Sequence, residues 1–349
     1  MRYDVRSTKV ELTRRDSLTW LMGTERAFAL LVRIFYFAYS HDRPTGGQKQ
    51  TYRHVDILNH AGVEAYALHM TPGFRLRWIA NDTRTIDYGG FKALHDPATD
   101  FVVVPEDLGE AMLRFPGRKV VFNQNLFYGC HVYGEQPPYA YPYLSPDVVA
   151  TLAVSEHNAA ALRFACPALP VHRVVNGIDV GRFTCRPLAE KRRLVACIAK
   201  APAQLSVVFH LAQLRARQGL NGLGAFEWVF IKGKTEQEVA TILGDALIFV
   251  FLGVEEGLAL MPLEAMASGC LVLAADAGPV AEYLPTSSRF PVGDAPALIT
   301  RLEAIVAGYP DGLRALDAEA GALRDAASAY SLDAERRSVL EAWQHIASH

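Results

Sequence analysis

Short apolar runs rich in β-branched and aromatic residues alternate with helix-forming stretches almost from end to end, and this rhythm limits the available folds more than any other feature. Strands separated by helices pair in parallel, because the crossover helix returns the chain to the same end of the sheet. In the first half, strands are expected over 33–40, 64–69, 100–105, 119–123, 149–154 and 171–175, with a helix over 48–60 after the Gly46-Gly47 turn. Residues 128–146, rich in Tyr, Pro and Gly, read as an irregular loop. The second set has strands over 194–199, 227–232, 246–252 and 270–275. Its helices are expected over 203–217, 236–243 and 260–268, the last stopped by Gly269.

At 349 residues the chain exceeds what one hydrophobic core usually supports, so two doubly wound α/β domains are expected. The division falls at 1–178 and 179–330, with a last helix, 331–349, crossing back to the first domain and tying the two together. Residues 1–32 form an extension. Leu18, Leu21, Phe28, Leu30 and Leu31 can make one apolar helical face there, with Arg14, Arg15 and Arg26 elsewhere. Packing on the domain is the plainer use of that face, and contact with a membrane surface is the other.

The balance of 35 Lys+Arg against 37 Asp+Glu leaves a formal charge of -2, which gives no basic excess for nucleic acid. Cys130, Cys166, Cys185, Cys197 and Cys270 are scattered without a CxxC pair and read as reduced thiols. No apolar run approaches the ~20 residues of a membrane span. No cleavable leader is read in the polar opening residues, so the expected location is cytoplasmic, with peripheral contact at the inner face of a membrane as an option.

The segment 255–269, Glu-Glu-Gly-Leu-Ala-Leu-Met-Pro-Leu-Glu-Ala-Met-Ala-Ser-Gly, carries the chemistry. Pro262 fits the first turn of a helix, so the helix should begin just before it. The free N–H groups of that turn, with the helix dipole, suit a diphosphate. Glu256 and Glu264 flank it. Carboxylates would repel phosphate, so their partners should be hydroxyl groups of sugar or ribose. Acids near a helix start also favour its dipole by roughly 0.3–1 kcal/mol each, which accounts for one Glu but not for the spacing.

This segment resembles the E-x7-E motif of retaining GT-B glycosyltransferases of family four. Glu256, Gly257, Leu260, Glu264, Ala265, Met266, Ala267 and Gly269 match, whereas Leu258 and Ala259 stand where the family has Phe and Gly. Ala259 can present its N–H only if its φ is negative. Asn176-Gly-Ile-Asp179 with Phe183 is similar to the family's crossing between domains, and Asp179 can also simply bond nearby amides of a turn. The resemblance covers about 33–346, strongest over 150–290, and its first half looks like a bacterial polysaccharide subset.

The resemblance implies two Rossmann-like domains and a nucleotide-diphosphate sugar as donor, with a glycan or lipid-linked sugar as acceptor. Glu256 would bind hydroxyls of the transferred sugar, Glu264 the ribose, and the backbone from Gly257 through Leu258 and Ala259 to Leu260 the sugar and phosphate. Lys200 stands where bacterial members have an Arg-Lys pair that holds the diphosphate; a solvated strand-end lysine is the plain alternative. Lys232-Gly233 ends a strand and is assigned to the base pocket, since the Lys232-Gly-Lys-Thr235 run lacks a phosphate-loop frame. Gly46-Gly47 would approach the donor phosphates or the acceptor, or be a simple turn. Asn123 and Asn125 lie where relatives place an active-site His, and with Glu106 and His131 they are the acceptor-side candidates.

No Asp-x-Asp occurs in the sequence. Helix amides and Lys200 are therefore expected to stabilise the leaving group without a metal, and no other cofactor is expected. Two other classes remain in view: a nucleotide-sugar epimerase or hydrolase on the same fold, and a degenerate GT-B module that only binds nucleotide or glycan. A dinucleotide oxidoreductase is disfavoured, because no G-x-G-x-x-G follows the first strand.

Overall fold

A computed structural model describes residues 32–133, 141–198 and 200–348. The extension helix expected within 1–32 therefore lies outside the described residues but for its last one. Residues 32–103, with 116–118 and 347–348, form one compact unit; the described residues of 104–115 and 119–346 form the other.

The elements of the first half are β1 (Arg33–Phe37), α1 (Gly46–His60), β2 (Glu64–His69), β3 (Thr85–Asp87), α2 (Tyr88–Leu94) and β4 (Phe101–Pro105). They continue through β5 (Arg118–Asn123), α3 (Leu126–His131), β6 (Val148–Ala153), α4 (Glu156–Ala165) and β7 (Val171–Arg173). The seven strands run in the order β3-β2-β1-β4-β5-β6-β7. In the first unit β1 is flanked in parallel by β2 and β4, with Phe35 opposite both Tyr66 and Val102. The Asn59 side chain fastens the end of α1 to β2, donating to Val55 O and Ala65 O and accepting from Ala65 N.

The second half holds β8 (Arg192–Ile198), α5 (Pro202–Arg217), β9 (Glu227–Ile231), α6 (Glu236–Asp245), β10 (Ala246–Phe251), α7 (Leu260–Ala267) and β11 (Leu271–Ala275). After these come β12 (Arg289–Phe290), α8 (Ala295–Ala307), α9 (Leu313–Ala327) and α10 (Leu332–Ala347). Its sheet order is β12-β11-β10-β8-β9, all pairs parallel. Every residue of β10 and β11 is buried, as continuous apolar strands covered on both faces must be. Each fully buried Phe or Leu there contributes roughly 1.5–3 kcal/mol.

Two devices set the ends of helices near the site. The only positive-φ position in the 255–269 segment is Gly269, at φ +78°, where a Cβ would also lie 2.8 Å from Cys185 Sγ. Helix α7 therefore stops there, as its sequence indicates. The buried ammonium of Lys191 donates to Leu243 O at 3.0 Å and Gly244 O at 3.1 Å, answering the carbonyls at the end of α6.

Asp179 accepts from the backbone N–H of Gly181 and Arg182, the turn role its sequence suggests. The preceding residues dock on the last helix and the turn before it: Val175 N–H donates to Ser338 Oγ at 2.8 Å and Ile178 N–H to Tyr330 O at 2.7 Å. The loop expected over 128–146 begins later than the sequence suggests, since α3 runs to His131, and a 3-10 turn forms at Pro142–Leu144. The cause is Asn125, whose side chain accepts from Phe127 N and Tyr128 N and so starts a helix in spite of the Tyr and Gly content.

Candidate functional site

The buried strand β10 delivers the chain to the turn 252–259, and α7 starts immediately after it. Ala259 sits before the first helical residue with φ -79° and ψ 104°, an unstrained extended conformation. Its methyl group therefore costs nothing in backbone energy where the resembled motif has Gly. No side chain caps α7. Its first-turn amides at Leu260 and Met261 thus lack the acceptor that most helices here supply from Ser, Thr, Asp or Asn, while Pro262 has no N–H to satisfy. The carbonyl of Ala259 is held from the other side by the buried Tyr283 hydroxyl at 3.1 Å.

The two acids differ in setting. Glu256 is 14% exposed and accepts from Lys200 Nζ at 2.5 Å, whereas the Lys200 side chain is 49% exposed. The structure thus joins two residues that the sequence singled out 56 positions apart. Gly253 adjoins them: a Cβ there would lie 3.2 Å from Glu256 Oε1 and 2.6 Å from the Phe251 ring. Glu264 is partly buried in the second turn of α7. Leu258 and Ala259 are both buried.

The turn is fixed against the end of β5. A Cβ on Gly257 would fall 1.7 Å from Gln124 O, so only glycine fits. Next to it, Asn125 Nδ2 donates to Glu255 O at 3.0 Å. The Asn125 backbone N–H donates to Glu106 Oε1 at 2.7 Å. Glu106 is 4% exposed, and burial pushes its carboxyl from the ordinary 4.5 up to about 7, against the pull of N–H groups from Gln124, Glu106 itself and Asn125. Its other oxygen, Oε2, has no hydrogen-bond partner among the described residues.

The other candidates fall into different surroundings. Asn123 is buried with both ends of its amide engaged, Nδ2 to Tyr143 Oη at 3.0 Å and Oδ1 by Asn158 Nδ2 at 2.9 Å. His131 is exposed at the end of α3. Gly46 and Gly47 open α1 in the other unit; Thr45 caps that helix, and a Cβ on Gly46 would meet nothing within 4 Å. Lys232 and Gly233 are exposed after β9, with Gly233 at φ +62°. The adjoining Lys234 and Thr235 serve α6 instead: Lys234 pairs with Glu238 at 2.8 Å, and Thr235 forms a capping box with the same Glu.

Sequence reasoning missed Tyr283, Tyr143 and Asn158, because nothing in their spacing marks them; each acts through a partner far away in the chain. Among the described residues, no group of three His, Cys, Asp or Glu side chains is arranged to hold a metal ion. Among the same residues, no helix is long and apolar enough to cross a membrane.

With this geometry in hand, comparison with known proteins is informative. Residues 190–307 match the family model "Glycosyl transferases group 1". The chain is 27% identical over 252 residues to an alpha-1,6-glucosyltransferase of Actinobacillus pleuropneumoniae serotype 7, covering 68% of this chain and 71% of that one. Among solved structures it is similar to the sucrose-phosphate synthase of Thermosynechococcus elongatus, with a TM-score of 0.62 and 17% identity over 90% of this chain and 98% of the other. It is also similar to Anabaena Alr3699/HepE, solved in complex with UDP, with a TM-score of 0.58 and 12% identity over 90% and 100%. The parallel-sheet architecture is that of the GT-B fold, and the segment that matches the group 1 glycosyl transferase model, 190–307, contains the uncapped start of α7.

Proposed function

We propose that the protein is a retaining, metal-independent hexosyltransferase of the E-x7-E type. It moves a sugar from a nucleotide-diphosphate donor to a glycan or lipid-linked acceptor in bacterial surface polysaccharide synthesis. The observation that carries this reading is the first turn of α7, uncapped and unstrained at Ala259, between Glu256 and Glu264. Backbone N–H groups at such a turn, with the helix dipole behind them, stabilise the charge that grows on a departing diphosphate.

In this reading the donor diphosphate lies at Leu260 and Met261 and competes with Glu256 for the Lys200 ammonium. Glu256 then turns to hydroxyls of the transferred sugar, and Glu264 holds the ribose. Lys232 and Gly233 border the base. The bond from sugar C1 to the phosphate oxygen breaks as the acceptor oxygen attacks the same face. The acceptor's proton passes to the departing phosphate oxygen, so no protein nucleophile is needed. A lipid-linked acceptor would bring the protein to the inner face of a membrane as a peripheral partner.

UDP-glucose is the first donor to test, since a relative is an alpha-1,6-glucosyltransferase and the Anabaena neighbour has been solved with UDP-glucose. The protein should release UDP from it in the presence of acceptor, and UDP should raise the melting temperature. Glu264→Ala should abolish the UDP shift. An unchanged shift in that variant would overturn the donor assignment, and turnover without any acceptor would favour the hydrolase or epimerase reading.

A further inference from the structure

The polar cluster around Glu106 lies outside the donor motif, yet its hydrogen bonds reach the motif. Glu106 Oε1 receives the Asn125 N–H at 2.7 Å. The Asn125 side chain spends its Oδ1 on Phe127 N and Tyr128 N and its Nδ2 on Glu255 O. All three polar groups of Asn125 used here point in fixed directions, which leaves it little freedom to shift. Beside it, Gly257 lies so close to Gln124 O that a Cβ would fall 1.7 Å away. Glu256 is thus bracketed by two residues, Glu255 and Gly257, both pinned to the end of β5.

We propose that Glu106 is a positioning residue: through Asn125 it holds the Glu255–Gly257 turn and so fixes where the Glu256 carboxylate stands. The structural basis is the chain of contacts from Glu106 to Asn125 to Glu255, whose second bond alone spans 130 positions of the chain. The packing beneath it is equally tight, since a Cβ on Gly129 would lie 3.2 Å from both Glu106 Cβ and Cγ. The effect on sugar transfer rests on the reading of Glu256 given above, whereas the hold on the turn does not.

This strut responds to pH. Burial raises the Glu106 carboxyl to about 7, and Asp107 beside it acts in the same sense. The titratable and charged groups on the elements packed around it are Asp107, Glu110 and Arg114 on its own segment, Tyr128, Cys130 and His131 on α3, Tyr133 just beyond, and the buried Tyr143. None of these supplies a hydrogen bond to Glu106 Oε2 among the described residues. Once the carboxyl ionises, that oxygen carries charge without a donor, which a buried site tolerates poorly. The turn should therefore loosen as pH rises through about 7.

Amide hydrogen exchange on the full-length protein tests this without any nucleotide. After correction for intrinsic rates, amides of 253–260 in the wild type should exchange faster above pH 7 than below it. Glu106→Gln keeps an acceptor for the Asn125 N–H and cannot ionise, so its profile should be flat. Asn125→Ser keeps a helix cap but loses the donor to Glu255, and should speed exchange of the same amides about fivefold. Amides of β11 should not change in either variant. Matching profiles for wild type and Glu106→Gln, or unaltered turn exchange in Asn125→Ser, would overturn the proposal. A parallel UDP titration separates the two readings: failure of UDP to bind the wild type would sink the donor assignment and leave the exchange result to judge the strut.

Discussion

Helices α6 and α7 follow adjacent crossovers of the same five-stranded sheet, yet their first turns are finished in opposite ways. At α6, Thr235 Oγ1 accepts from Glu238 N at 3.3 Å, and Glu238 Oε2 accepts from Thr235 N at 2.8 Å, closing a capping box. At α7, the corresponding residue is Ala259, which offers no acceptor. A capped turn has already satisfied its amides within the protein. An uncapped turn gives up that stabilisation and keeps the amides for an anion. The contrast separates a helix start closed by its own side chains from one that the proposed function assigns to a ligand, although both follow a glycine-containing loop at the carboxyl end of a strand.

The comparison can be broken most severely at Gly257. Gly257→Ala would force a methyl group against Gln124 O, and overpacking of this kind should cost about 3 kcal/mol, with loss of UDP binding. Denaturant unfolding measures it. A cost well under 1 kcal/mol would mean that the turn can swing away from β5.

A second effect concerns pH. Glu106 holds its proton up to about 7 when folded and to 4.5 when its ordinary value applies. Between these values the folded state binds the extra proton, so stability should fall as pH rises through that window and level off above it. The upper bound is roughly 3 kcal/mol. Glu106→Gln should remove this slope; an identical slope in the variant would assign it to other groups.

The smallest effects sharpen the contrast directly. Thr235→Ala should lower stability by about 1 kcal/mol and leave UDP binding unchanged. Ala259→Ser adds the missing acceptor, so it should raise stability by roughly 0.5 kcal/mol and weaken UDP binding several-fold. If both substitutions moved binding equally, the two helix starts would not differ in function.

Much of the local structure of the 255–269 segment was legible in the sequence because its signals are local. Pro262 marked the start of α7, Gly269 its end, and the apolar run of β10 the strand that feeds it. The cluster behind it was not legible, for a physical reason. Asn125 and Glu255 are 130 residues apart, Asn123 and Asn158 are 35 apart, and hydrogen bonds of that kind leave no periodicity. The same reason explains α3, where a single Asn cap outweighed a composition that suggested loop. Asn123, read as a sugar-facing residue, lies with its amide committed to Tyr143 and Asn158; only the packed structure could reveal those partners.

The bond between Lys200 and Glu256 has a kinetic meaning as well as a structural one. Cation and anion so close together look nearly neutral from beyond a Debye length, ~8 Å at physiological ionic strength. An approaching anion would feel little pull from this lysine until it is near enough to displace the carboxylate. Association of a nucleotide diphosphate should then depend only weakly on salt, and selection among anions would occur at contact and not during diffusion.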